Sequence, residues 1–132
     1  MRLLSSLPIL LGILSSATMA DEINIPKKIT VEEAQVLVFQ ARGKRPSGSL
    51  DYDRKGVYDR FYGFQGVGAV GGTYGFFSVN VWTGDVWSGW ECKRISSPAS
   101  EQSRAEIKKR FSPDEMKQYS KLHALKPECL YP

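Results

Sequence analysis

Residues 73–92 read Thr73-Tyr74-Gly75-Phe76-Phe77-Ser78-Val79-Asn80-Val81-Trp82-Thr83-Gly84-Asp85-Val86-Trp87-Ser88-Gly89-Trp90-Glu91-Cys92. Two runs rich in aromatic and β-branched residues flank Trp82-Thr83-Gly84-Asp85, where Gly84 can take a positive φ. The pattern predicts a β-hairpin with strands over residues 73–81 and 86–92. A turn this short makes the pair antiparallel. Upstream, residues 57–65 alternate and are rich in Tyr and Phe, which predicts a third strand. The glycine-dense stretch 66–72 between them reads as a turn or bulged connection, and 44–50 as a loop.

A three-stranded sheet needs one covered face to be stable, and the sequence supplies a cover. Thr30 and Glu33 form a capping box, with Ile29 and Ala34 placed as a hydrophobic staple. Val31, Ala34, Leu37, Val38 and Ala41 recur at helical spacing, and Gly43 stops the run. A helix is therefore expected over residues 31–42. After Arg94 the chain turns polar. A helix is expected over 99–111 with Ile107 and Phe111 inward, and another from the Ser112-Pro113-Asp114-Glu115 cap to about Ala124. The fold expected is α+β: an N-terminal helix on a three-stranded antiparallel sheet, followed by two C-terminal helices.

The ends of the chain speak to where it works. Arg2 precedes an apolar run (Leu7, Ile9, Leu10, Leu11, Ile13, Leu14) that is short for a membrane span and broken by Pro8 and Gly12. Thr18 and Ala20 suit the shallow pockets of a signal peptidase. Residues 1–20 are thus expected to be a signal peptide, leaving 21–132 as a single domain with no membrane span, periplasmic or secreted. Arg2 is the one charge in that leader, so the net charge of +4 falls to +3, far from the dense basic face of a nucleic-acid binder. The two cysteines, Cys92 and Cys129, are expected to form a disulfide in an oxidising compartment.

Lys28-Ile29-Thr30-Val31-Glu32-Glu33-Ala34 resembles the opening helix of a PepSY-type domain, and residues 77–87 resemble that family's closing hairpin with its Thr-Gly turn. The resemblance covers about residues 28–91; the C-terminal helices, the cysteines and the 66–72 glycines lie outside its pattern. It implies an exported protein that inhibits or modulates another protein, often a peptidase, with no catalytic residues to carry over. Small periplasmic inhibitors and immunity proteins directed against cell-wall hydrolases have a similar architecture.

Other motifs give less. Gly66-Val67-Gly68-Ala69-Val70-Gly71 matches a dinucleotide fingerprint, but a strand-like sequence follows where a helix N-terminus is needed. Asp51-Tyr52-Asp53-Arg54-Lys55-Gly56 resembles the start of a calcium loop, yet Lys55 and Tyr62 stand where oxygen ligands belong, so it reads as a polar turn. His123 is the one histidine, with no nucleophile at a telling distance and no metal-ligand cluster around it. Neither a cofactor nor a metal is expected, and the chain does not read as an enzyme.

Trp82, Trp87 and Trp90 lie close together beside Tyr74, and period-two geometry cannot bury them all. The candidate binding residues are Trp82, Trp87, Trp90, Tyr74 and Asp85, with Trp82 the preferred exposed contact at the turn. The expected partner is a protein of the cell envelope, a peptidase or cell-wall enzyme, and a sheet edge could pair with an extended segment of it. Two alternatives remain: a glycan or peptidoglycan module stacking sugars on the tryptophans, and a small hydrolase using Asp85 or Glu91.

Overall fold

The computed structural model describes residues 23–43, 48–53 and 59–129. The expected leader at 1–20 lies outside them. The element order is α1 (Val31–Arg42), β1 (Gly48–Tyr52), β2 (Phe61–Gly68), β3 (Thr73–Asn80), β4 (Val86–Ser88), β5 (Lys93–Ile95), α2 (Pro98–Lys108), α3 (Pro113–Met116) and α4 (Tyr119–His123). The strands form one antiparallel sheet in the order β1-β2-β3-β4-β5. Among the described residues no helix is long and apolar enough to cross a membrane.

The three-stranded sheet is corrected to five strands, and each added strand has a local cause. Gly48-Ser49 has loop composition, but its segment pairs with β2, Leu50 opposite Gly66, and only Leu50 of β1 is buried. An edge strand with one inward residue carries little hydrophobic signal. At the other end, the strand expected over 86–92 lasts three residues. The Gly89 amide donates to Phe76 O at 2.7 Å, and a Cβ on Gly89 would meet Phe76 Cβ at 3.2 Å. Cys92 adopts a left-handed conformation (φ 51°), and the chain returns as β5. Asp51 and Tyr52, expected to open a turn over 51–56, belong to β1, and the rest of that expectation, from 54 on, lies outside the described residues.

α1 forms as expected. Thr30 and Glu33 make the reciprocal capping box, and Gly43 closes the helix with φ 70°. Ala34, Leu37, Val38 and Ala41 pack onto Tyr62, Phe64, Phe77, Val79 and Val86 in one core. The segment before α1 is tied down as well: the Lys28 amide donates to Val81 O (2.9 Å), and the Tyr62 hydroxyl to Ile29 O (2.9 Å).

α2 lies antiparallel to α1. At its start the Ser97 hydroxyl donates to Gln40 O (2.6 Å), and beyond its end Arg110 pairs with Glu33 (2.7 Å). The last expected helix is corrected to two short ones, α3 and α4, interrupted at Lys117-Gln118. α4 closes on the end of β3, where Asn80 Nδ2 donates to Leu122 O (2.9 Å). A disulfide joins Cys92 to Cys129 and fastens the C-terminal tail to the β4–β5 turn.

Candidate functional site

The glycines of β2 and β3 prepare the first feature. Gly66 and Gly75 are cross-strand partners. A Cβ on Gly66 would lie 2.2 Å from the Tyr74 ring, so glycine there lets Tyr74 cross β2 and donate its hydroxyl to Ser49 O at 3.0 Å. No helix follows the glycines, only β3, as the strand-like sequence suggested. α1 ends before it reaches this end of the sheet. A groove of about 600 Å³ is left between the last turn of α1 and β3–β5, lined by Arg42, Tyr74, Phe77, Trp90 and Lys93 among others.

Arg42 comes four residues after Val38 on the inward stripe of α1, so its guanidinium is laid over aromatic rings: 4.4 Å from the Tyr74 centroid and 5.4 Å from that of Phe77. Its Nη1 is buried with no hydrogen-bond partner among the described residues. Burial holds the Tyr74 phenol above its ordinary pKa, against the opposing pull of the Arg42 charge. Trp90, in the β4–β5 turn, is 44% exposed and rests edge-on against Phe76, with ring centroids 6.0 Å apart.

The second feature is a charge cluster under the β3–β4 turn. Gly84 is pressed against Leu37 and Ile107, so the turn is wedged between α1 and α2. Asp85 is 2% exposed. It accepts the Thr83 hydroxyl at 2.6 Å, lies 2.7 Å from His123 Nδ1 and pairs with Arg104 at 3.0 Å. Arg104 also holds Glu101 at 2.9 Å. Burial opposes the Arg104 charge, but Asp85 and Glu101 outweigh it and keep the pKa above its ordinary value. Arg94 crosses from β5 to bond His123 O, and its guanidinium lies 5.0 Å from the Trp87 ring centroid.

The cluster's chemistry is closed on itself. The Thr83 proton is committed to Asp85, so His123 is not positioned to activate that hydroxyl. Asp85, its carboxylate engaged by Thr83, His123 and Arg104 and approached by Arg94 at 3.9 Å, clamps the turn to α2 and α4. Among the described residues, no group of three or more His, Cys, Asp and Glu side chains could hold a metal ion.

The five candidate residues therefore separate. Tyr74 and Trp90 line the open groove. Trp82 is corrected from an exposed contact to a core residue: it is 4% exposed, and its indole N–H donates to Ile25 O at 2.7 Å. The Asn80 carboxamide folds the turn inward by accepting the Trp82 and Thr83 amides. Trp87 is buried on the sheet face opposite α1, beneath Arg94. Asp85 is interior. Glu91 stands at the groove's rim, 3.1 Å from Lys93. Sequence reasoning missed Arg42, although a cation on the apolar stripe of α1 was the available signal. It also missed the Arg94–Arg104–His123 convergence, which has no signal in sequence spacing.

No protein-family model and no curated protein matches the sequence. Among solved structures, the chain is similar to one chain of a type VI secretion system effector–immunity complex from Pseudomonas protegens. The TM-score is 0.53 and the identity 24%, over 76% of this chain and 94% of that one. At that identity the likeness concerns the fold alone.

Proposed function

We propose that this chain is an exported binding protein that attaches to another envelope or secreted protein and restrains it, in the manner of an immunity protein. A peptidase or cell-wall hydrolase is the expected target. The observation that carries this reading is the groove lined by both exposed Trp90 and Arg42, residue types that dominate binding energy at protein interfaces. The fold likeness to a chain from an effector–immunity complex supports it. So does the inhibitory role implied by the PepSY-like helix and hairpin motifs at 28–91. The Cys92–Cys129 disulfide suits an oxidising compartment, and with it the export expected from the leader.

The glycan reading loses ground, because stacking needs a platform and Trp82 and Trp87 are buried. The hydrolase reading loses Asp85, whose carboxylate is engaged by Thr83, Arg104 and His123. The test is affinity capture from envelope extract with the disulfide-bonded protein as bait. One stoichiometric protein, with hydrolytic activity that falls as the bait is added, is the expected result. Capture of sacculi in place of a protein would overturn the reading.

A further inference from the structure

We propose that the groove between the end of α1 and β3–β5 takes an acidic side chain, Asp or Glu, of the protein partner, with Arg42 as the charged anchor and Trp90 as the apolar wall. This rests on the binding-protein reading above and names the chemistry of the contact.

The pairing of charges sets Arg42 apart. Three other cations, two of them largely buried and Arg110 half-exposed, have carboxylate partners within the chain. Lys28 holds Glu115 at 2.8 Å, Arg104 holds Asp85 at 3.0 Å, and Arg110 holds Glu33 at 2.7 Å. Arg42 has none among the described residues, and its Nη1 is buried without a hydrogen-bond acceptor. A guanidinium stripped of part of its hydration and left unpaired is costly. Its guanidinium lies over Tyr74 and Phe77, and a guanidinium held on aromatic rings is suited to grip a carboxylate.

The surroundings favour the same occupant. Lys93 adds a second positive charge at the rim, its own link to Glu91 being an exposed pair. Ser88 adds a hydroxyl donor to the lining. Trp90 and Phe77 supply apolar area for the methylenes of an acidic side chain. A basic partner side chain would meet Arg42 and Lys93 with like charge. A purely apolar one would leave the Arg42 guanidinium without a counter-charge.

The experiment is an amide and indole NMR titration of the disulfide-bonded protein. The probe is N-acetyl-glutamate N-methylamide, and the control is its neutral glutamine counterpart. Saturable shifts at the Gly75 and Ser88 amides and the Trp90 indole are expected with the glutamate probe alone, and should weaken as salt is raised. Arg42→Gln should lower the apparent affinity about tenfold or more, the scale of one charge-assisted hydrogen bond. Lys93→Glu, at an exposed position that the fold tolerates, should weaken it as well and keeps the test open if Arg42→Gln misfolds. Equal responses to the two probes, or an unchanged response in both variants, would overturn the proposal. Capture from envelope extract separates the two ideas. A partner held equally by wild type and Arg42→Gln sinks the groove assignment while the binder reading stands. Glutamate binding at Arg42 with no protein captured sinks the reading and keeps the groove.

Discussion

At one end of the β3–β4 hairpin, Asp85 is buried and its carboxylate is engaged: Arg104, His123, the Thr83 hydroxyl and, at 3.9 Å, Arg94 converge on it. At the other end, Arg42 lies on two aromatic rings with a buried Nη1 that has no acceptor among the described residues, and Trp90 faces solvent. Both places hold arginines and aromatics, so composition does not tell them apart. What differs is closure. A buried carboxylate engaged on both oxygens by cations and a hydroxyl stabilises the fold. A cation without a carboxylate among the described residues costs the free protein stability, and a partner's acidic group in the groove can supply the missing counter-charge.

Substitutions can break that contrast. The largest effect is expected at the closed end. Asp85→Asn removes the charge that neutralises Arg104 and should destabilise the protein by about 3–5 kcal/mol in urea melts, the range for breaking a buried ion pair. The groove's binding, measured per folded molecule, should be unchanged. Next comes the covalent tie between the two regions. Replacing Cys92 and Cys129 by Ser opens a loop of sequence separation 37, and the chain-entropy model gives a loss of about 4 kcal/mol. Thermal melts with and without reductant should show the same order of effect.

The open end should respond in the opposite sense. Trp90→Ala should alter the urea midpoint by less than about 1 kcal/mol yet cost about 2 kcal/mol or more of affinity for the captured partner. Equal losses in stability and affinity would erase the distinction between the two ends. Thr30→Ala, far from both, should cost about 1 kcal/mol through the lost N-cap and leave binding alone.

The smallest effect is a pH dependence. The hydrogen bond from Arg110 is the main cause holding the Glu33 carboxyl below its ordinary value, against the opposing effect of burial. A depressed carboxyl pKa contributes stability above the unfolded value, near 4.5, and loses it as pH falls through the folded value. Wild type should therefore lose slightly more stability on acidification below that point than Arg110→Gln, as read from urea midpoints against pH. The pair is partly exposed, so screening keeps the difference small.

How much of this was legible in the sequence follows from the range of each signal. α1 was readable to the residue, because its cap, stripe and stop are local features of residues 30–43. β3 and the turn at Gly84 were readable for the same reason. β1 was not, since its place depends on pairing with β2 and its own composition is that of a loop. The break after Ser88 depends on Gly89 meeting Phe76, a contact between strands. At the site, Tyr74 and Trp90 were found by residue type alone. Trp82 was misplaced, because the Asn80 side chain folds the turn inward and the leading segment supplies Ile25 as its partner. Arg42 went unnoticed because helix-end cations are common, and nothing in the sequence marks one without a carboxylate.

The central claim is that the unanswered end of the hairpin is where a protein partner attaches. Side-by-side titration calorimetry of the captured partner into wild type and Trp90→Ala tests it most directly. The account predicts a one-to-one complex with wild type and a Kd at least about thirtyfold weaker for the variant, at matched melting temperature. An unchanged Kd in the variant would contradict it.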